Sequence, residues 1–273
     1  MTMPLRLAGV IGDPIAHSRS PILHGHWLKR YGIAGHYVPL HIKPPDLAEA
    51  LRLLPKMGFA GTNVTLPHKH AALALADRVT PLARRIGAAN TLTFTATGIE
   101  ADNTDAHGFT HNILSAYPEW TPHKVALIGA GGASRAVIAA LQDLGATEIR
   151  LTNRTPARAE ELAEAFGTPV RVYPWAERTD MLSGCDTLVN GTQLGMSGNP
   201  PLDLDLLALP ATAIVSDLVY APLETPLLAA ARARGNPCVD GLGMLLHQAA
   251  PGFERWFGVK PVIDDALRAA VLG

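Results

Sequence analysis

Short apolar runs alternate with amphipathic stretches along the whole chain. Leu5–Ile11, Tyr37–Ile42 and Gly61–Thr65 predict strands, and Pro21–Tyr31 and Asp46–Lys56 carry helical spacing between them. Ala89–Thr95 and Ile99–Ala101 flank Ala96-Thr97-Gly98 and predict a hairpin. A second series opens at Val125–Ile128. It continues through Glu148–Thr152, Thr187–Asn190, Ile214–Asp217 and Cys238–Asp240, separated in places by helical patterns at Ala133–Leu144, Pro156–Phe166 and Pro226–Arg234. Such alternation predicts parallel βαβ units with right-handed crossovers.

Two series predict two α/β domains with a cleft between them. The boundary lies within Asp105–His123, where Ala106–Ala116 reads as a connecting helix followed by Pro118 and Pro122. The tail, Leu242–Gln248 and Ile263–Leu272, reads as helical and is not needed to complete the second series. It is expected to return to the first domain, giving residues 1–105 with 241–273 as one domain and 106–240 as the other.

Composition narrows the class. The 273 residues carry 23 Lys and Arg against 24 Asp and Glu, a net charge of -1. That balance argues against a nucleic-acid partner and leaves small anions open. The two cysteines, Cys185 and Cys238, match no zinc or redox spacing, so they read as reduced, buried thiols and no metal is expected. No stretch reaches the roughly 18 to 20 apolar residues of a membrane span. Met1–Gly9 lacks the pattern of a signal peptide, which makes the cytoplasm the default compartment. Monomer and homodimer both remain open.

The strand Val125–Ile128 runs into Gly129-Ala130-Gly131-Gly132-Ala133-Ser134, and a helical pattern follows. This is the setting of a dinucleotide fingerprint. The first Gly permits a tight turn, the second lets backbone approach a pyrophosphate, and the helix N-terminus offers unpaired N–H donors. The competing reading is an ordinary strand–helix turn. At the end of the next strand stand Asn153-Arg154-Thr155, with Arg158 one turn on. An NAD site places an acid there for the ribose 2′-hydroxyl, whereas guanidinium groups suit a 2′-phosphate. Thr155 and Pro156 also make a good helix start, a role compatible with phosphate binding. The cofactor predicted is NADP.

The N-terminal domain holds three further clusters. In Gly12–Pro21, Ser20 is placed to cap the helix that Pro21 opens, and Ser18 and Ser20 bring two hydroxyls to a helix N-terminus suited to a carboxylate. In Asn63–Lys69, Pro67 is placed to begin a helix, so Lys69 falls in its first turn, where the dipole disfavours a cation. On a solvated helix end that placement is unremarkable; in a pocket it tunes a lysine for proton transfer. The third cluster joins Gly87–Thr91 with Asp102–Asp105. Asp105 can cap the helix that follows it or partner Lys69.

In order and spacing these clusters resemble the shikimate dehydrogenase family, through Gly12–Pro21, Asn63–Lys69, Gly87–Leu92, Asp102–Asp105, Gly129–Arg135, Asn153–Arg158, Asp217–Pro222 and Gly241–Ala249. The resemblance implies NADPH-dependent reduction of 3-dehydroshikimate to shikimate, on the route to chorismate and the aromatic amino acids. It implies that Ser18 and Ser20 bind the substrate carboxylate and that Thr65, Asn90, Asp105 and Gln248 bind ring hydroxyls or the reacting carbonyl. Lys69 and Asp105 are the implied catalytic pair. The cofactor falls to Gly129, Ala130, Gly131, Gly132 and Ala133, to Asn153, Arg154, Thr155 and Arg158, and to Gly241; Tyr220 lines the cleft on the substrate side. Gly25, and Gly191 and Gln193 within Asn190–Met196, depart from the family pattern. Two other readings compete: a quinate/shikimate dehydrogenase of relaxed specificity, and a non-catalytic sensor of NADP and a ligand.

Overall fold

The computed structural model describes residues 5–273; Met1–Pro4, the start of the segment read for a signal peptide, lies outside them. The chain divides into two compact units. The first runs to Thr104 and takes in Leu246–Gly273, and the second is Asp105–Leu245.

The first unit contains β1 (Arg6–Gly12), α1 (Ser20–Arg30), β2 (Gly35–His41), α2 (Leu47–Leu53), β3 (Phe59–Val64), α3 (Lys69–Leu75), β4 (Arg78–Val79), α4 (Pro81–Ile86), β5 (Thr91–Thr95) and β6 (Gly98–Asp102). Its sheet runs β2-β1-β3-β5-β6-β4. β1 lies parallel to β2 and β3, and β5 lies antiparallel to β3 and β6. This mixture has a functional consequence. The carboxyl end of β3 sits beside the start of β5 and the end of β6, because Asn63 pairs with Thr91 and Thr91 with Asp102. The predicted hairpin forms with a tighter turn: Thr95 pairs with Gly98, so Gly98 opens β6 at a φ of 121°.

The second unit contains α5 (Asp105–Ala116), β7 (Lys124–Ile128), α6 (Gly132–Asp143), β8 (Glu148–Thr152), α7 (Pro156–Phe166), β9 (Val170–Val172), β10 (Thr187–Asn190), β11 (Ile214–Asp217), α8 (Pro226–Ala233) and β12 (Cys238–Val239). All pairings are parallel, in the order β9-β8-β7-β10-β11-β12. Counted within this unit the order is 3-2-1-4-5-6, the doubly wound dinucleotide fold, whose switch point lies between β7 and β10. Helices on both faces explain why β7 reads as an unbroken apolar run: Val125, Ala126, Leu127 and Ile128 are all buried. Cys185 is buried too, which pushes its thiol up to about 11; Cys238, expected to be buried, is only partly so because its strand β12 forms the sheet edge.

The chain closes with α9 (Gly241–Phe257) and α10 (Asp265–Leu272). The sequence pattern ended the first of these at Gln248, yet the helix continues through Pro251. Proline removes one N–H from the ladder. Burial of Phe253, Trp256 and Phe257 beyond it outweighs that loss. These rings join His24, Trp27 and Tyr37 in an aromatic core, with His24 stacked on Tyr37 at 3.8 Å between centroids. Burial pulls His24 down to about 3, so it packs there as a neutral ring.

Among the described residues no helix is long and apolar enough to cross a membrane.

Gly61 is the tightest point of this core. A Cβ on it would overlap the indole nitrogen of Trp256 and the carbonyl of Leu92, two groups already hydrogen-bonded to each other at 3.1 Å. Gly61→Ala is therefore expected to destabilise the protein by about 1–3 kcal/mol. Gly25→Ala, in α1 with nothing within 4 Å, should stabilise it by about 0.5–1 kcal/mol. Urea unfolding of the two variants checks this; similar midpoints would contradict the packing described.

Candidate active site

In the first unit the site residues gather where β1, β3 and β6 end and β5 begins. Two loops leaving the sheet are joined by backbone: Asp13 N–H donates to the Leu66 carbonyl at 3.1 Å and Thr65 N–H to Ile11 at 2.9 Å. Gly12 lets them approach, since a Cβ there would lie 2.7 Å from the Thr65 methyl. Ser18 and Ser20, both half-buried, follow on the first loop. The expected capping role of Ser20 is corrected. Ser20 is already the first helical residue, with Pro21 behind it, and the hydroxyl of Ser18 accepts from the Ser20 N–H at 3.3 Å.

Lys69 opens α3 and is half-buried. Pro67, expected to begin that helix, stands two residues before it after a cis peptide bond. The position is fixed from both sides. The imidazole of His68, buried, shares a 2.7 Å hydrogen bond with the Ile42 carbonyl, and the Lys69 carbonyl accepts from Ala89 N–H at 2.9 Å. The second bond ties the start of α3 to the Gly87–Thr91 segment.

Asn90 is held in one orientation. Its Oδ1 accepts from Thr104 N–H at 2.8 Å, Thr91 Oγ1 at 3.0 Å and Thr104 Oγ1 at 3.1 Å. With the oxygen taken by three donors, the NH₂ is the side of Asn90 that donates. Behind it lies Asn63, which the sequence reading quoted without giving it a role. Asn63 Nδ2 donates to the Asn90 carbonyl at 3.1 Å and to Thr91 Oγ1 at 3.2 Å, and its Oδ1 accepts from the Tyr37 hydroxyl at 2.7 Å. Tyr37 also meets the Ser20 side chain. An asparagine inside an apolar strand is the signal that could have found this residue, because an amide partly withdrawn from water needs partners. Gln248 lies half-buried on the first-unit part of α9.

Asp102 ends β6 and precedes Asn103 and Thr104. Burial raises its pKa, but the Thr80 hydroxyl, the Arg255 guanidinium and the Asn103 N–H outweigh that and hold the carboxyl below the usual carboxylate range. Asn103 in turn donates to the Ala88 carbonyl at 2.9 Å.

In the second unit, Gly129 follows β7 at a φ of 103°, and a Cβ would lie 2.7 Å from the Thr192 methyl. Gly131 and Gly132 differ from it. Neither has a positive φ, and a Cβ on either would meet nothing within 4 Å. The protein's own packing does not require glycine there, which fits a loop whose backbone is approached closely by a ligand. Ala130 N–H donates to Asn153 Oδ1 at 3.2 Å, and Asn153 Nδ2 donates to the Thr155 carbonyl at 2.9 Å. One amide thereby sets Arg154 beside the glycine loop. Arg154 and Arg158 are exposed. Thr155 occupies the cap position of α7, but its hydroxyl makes no cap bond. Ala133 lies in the first turn of α6, Asp105 opens α5, and Tyr220 is half-buried in the loop after β11. Gly241 donates its N–H to the Val219 carbonyl at 3.2 Å, and a Cβ on it would overlap Leu218.

Sheet order, glycine loop and the arginines after β8 define a dinucleotide-binding oxidoreductase unit joined to a second α/β unit. Comparison with known proteins gives the family. The model of the shikimate dehydrogenase substrate binding domain matches residues 10–92, that of shikimate / quinate 5-dehydrogenase residues 112–195, and that of the shikimate 5'-dehydrogenase C-terminal domain residues 241–272. The chain belongs to the shikimate dehydrogenase family. It is 61% identical over 269 residues to a Paracoccus denitrificans protein named shikimate dehydrogenase (NADP(+)), covering 97% of this chain and 95% of that one. Among solved structures it is similar to Thermus thermophilus shikimate 5-dehydrogenase in complex with NADP(H) and shikimate (TM-score 0.87, 38% identity, 98% and 99% of the two chains). It is also similar to Corynebacterium glutamicum quinate dehydrogenase in complex with NAD (TM-score 0.92, 32% identity, 98% and 99%).

The Asp102–Arg255 pair gives a pH prediction. A carboxyl held below its unfolded pKa contributes stability that is present above the unfolded value and lost as pH falls through the folded one. Arg255→Gln should therefore be less stable than the unaltered chain at pH 7. The deficit should close as pH falls below about 4, the unfolded range. Denaturant titrations across pH test this; a deficit that does not change with pH would assign Arg255 to packing alone.

Proposed function

We propose that this chain catalyses the reversible NADPH-dependent reduction of 3-dehydroshikimate to shikimate, a step towards chorismate and the aromatic amino acids. The observation that carries this reading is the similarity to the Paracoccus denitrificans enzyme, 61% identical over nearly the full length of both chains. The chain is read as a cytoplasmic enzyme acting as monomer or homodimer.

The residues present fit the cofactor. Gly129–Ala133 supply a loop and a helix N-terminus for the pyrophosphate, and Arg154 and Arg158 supply charge and forked donors for the 2′-phosphate. NADPH supplies the hydride when bound. Ser18 and Ser20 recognise the substrate carboxylate, and Asn90, through its NH₂, recognises a ring oxygen. Thr65 and Gln248 hold further ring oxygens, and Tyr220 borders the substrate. Reduction of a ketone leaves an alkoxide that needs a proton. Lys69 donates it, with Asp105 as the carboxylate that orients the ammonium and accepts a substrate hydroxyl.

Incubation of the protein with shikimate and NADP, followed by nicotinamide absorbance, tests the reading, with quinate and NAD as alternative partners. NADP and shikimate are expected to be preferred, and Arg154→Ala should weaken NADP while leaving NAD nearly unchanged. Lys69→Ala should lower single-turnover hydride transfer at saturating substrate by about 100- to 10,000-fold. Lys69→Arg should not rescue it, because guanidinium does not release a proton near neutral pH. A near-normal rate in Lys69→Ala would remove the proton-transfer role from Lys69.

A further inference from the structure

β10 and β11 end in two residues that the chemistry above does not use, Asn190 and Asp217. Both are fully buried, and they meet each other: Asn190 Nδ2 donates to Asp217 Oδ1 at 2.9 Å. Their remaining bonds go to the two loops that leave these strands. On the first loop, Asn190 Oδ1 accepts from Thr192 N–H at 3.0 Å and from Thr192 Oγ1 at 2.7 Å, and Nδ2 donates to the Leu194 carbonyl at 3.1 Å. Thr192 Oγ1 accepts in turn from Leu194 N–H. On the second loop, Asp217 Oδ1 accepts from Val219 N–H at 3.0 Å and Oδ2 from Thr225 Oγ1 at 2.7 Å, the hydroxyl that caps α8. The loops are then joined further out, where Ser197 N–H donates to the Ala221 carbonyl at 2.8 Å. Tyr220 stands between the Val219 and Ala221 attachments.

The sheet order says what these loops border. In a 3-2-1-4-5-6 sheet the dinucleotide lies across the carboxyl edge at the switch point, one mononucleotide half on each side. Arg154 and Arg158 follow β8, on one side of β7, and so mark the adenosine half. β10 and β11 lie on the other side, under the nicotinamide half.

We propose that Asp217 and Asn190 form a positioning pair for the nicotinamide end of the site, holding the 191–196 and 218–225 loops, and Tyr220 with them, in one arrangement before any ligand binds. The proposal rests on the cofactor reading above. The pair does not touch the reacting atoms, so its effect falls on the geometry of hydride transfer and spares the distant grip on pyrophosphate and 2′-phosphate. Burial is what makes the pair decisive. A buried carboxylate with three donors and, among the described residues, no ion pair depends on each of those donors. The burial also pushes Asp217 up to about 6, opposed by Thr225, Val219 and Asn190.

The test uses Asp217→Asn, Thr225→Val and Thr225→Ser in the full chain, with three readouts. Hydrogen exchange of the cofactor-free protein should quicken about tenfold at amides in 191–196 and 218–225 in Asp217→Asn and Thr225→Val, the loss of roughly one charge-assisted hydrogen bond. The Kd for NADP should stay within about threefold, because its anchors lie on β7 and β8. Single-turnover hydride transfer should fall by about tenfold or more in both variants. Thr225→Ser, which keeps the hydroxyl, should behave like the unaltered protein in all three. If Asp217→Asn does not fold, the Thr225 pair alone decides. Unchanged loop exchange overturns the proposal, as does loosened exchange with an unchanged transfer rate, or a Thr225→Ser variant as impaired as Thr225→Val. Failure of the unaltered protein to bind NADP would refute the cofactor reading instead, and would leave loop exchange to judge the anchoring on its own.

Discussion

A strand that stops in the interior of an α/β protein leaves backbone groups with no neighbouring strand to pair with, and a buried polar group without a partner costs on the order of 1–3 kcal/mol. In this chain the side chains that answer that demand are short amides and carboxylates placed at or beside strand ends. Asp102 ends β6, Asn190 ends β10 and Asp217 ends β11; Asn63 is the last residue but one of β3, Asn153 follows β8 and Asn90 precedes β5. Asn63, Asn90 and Asn153 are hydrogen-bonded to backbone of another segment, and Asp102, Asn190 and Asp217 to backbone of the loop that leaves their own strand. The carboxyl edge of a parallel sheet is also where ligands bind. In the second unit, whose sheet is all parallel, the groups that satisfy the strand ends therefore lie at the edge where such sheets bind ligands.

This coupling fixes the orientation of the groups involved. An amide that donates on one side and accepts on the other has only one workable orientation. Tyr37 gives a proton to Asn63, Asn63 gives to Asn90 and Thr91, and Thr91 and Thr104 give to Asn90 Oδ1. The Thr104 N–H can only donate, so it fixes Asn90 Oδ1 as the acceptor and with it the side on which the NH₂ stands. In the second unit Asn153 does the same for the arginine loop, with one bond to the glycine loop and one to Thr155.

What the sequence made legible was local. Period and turn chemistry located the long strands and helices, and the glycine loop announced itself by its flanks. Two- and three-residue strands such as β4 and β9 carry no period and went unread. Helix α9 was legible only to Gln248, because the value of the apolar residues beyond Pro251 depends on an aromatic core that only tertiary packing reveals. Ser20 matched a cap by type, but the helix starts one residue earlier than that role requires. The supporting residues were hidden for a different reason. Asp102 meets Arg255 across 153 positions, and Asn190 meets Asp217 across 27, so neither pair forms a motif. The substrate and cofactor candidates stood out as clusters; the groups that hold them do not cluster in sequence.

Glycine shows where sequence and structure part most clearly. The letters at 61, 129, 131, 132 and 241 are the same, but the demands on them are not. At Gly61 and Gly241 a side chain would collide with the protein's own backbone or indole, and at Gly129 both the positive φ and Thr192 exclude one. Those glycines are explained entirely by folding. Gly131 and Gly132 have ordinary φ values and open space where a Cβ would stand. Gly131 caps α6 in an extended conformation and Gly132 is its first residue, so neither stands inside the helix. Nothing in the fold excludes a side chain at either position. Close approach of a pyrophosphate to the backbone N–H groups at the start of α6 does exclude one, and it depends on the empty space itself.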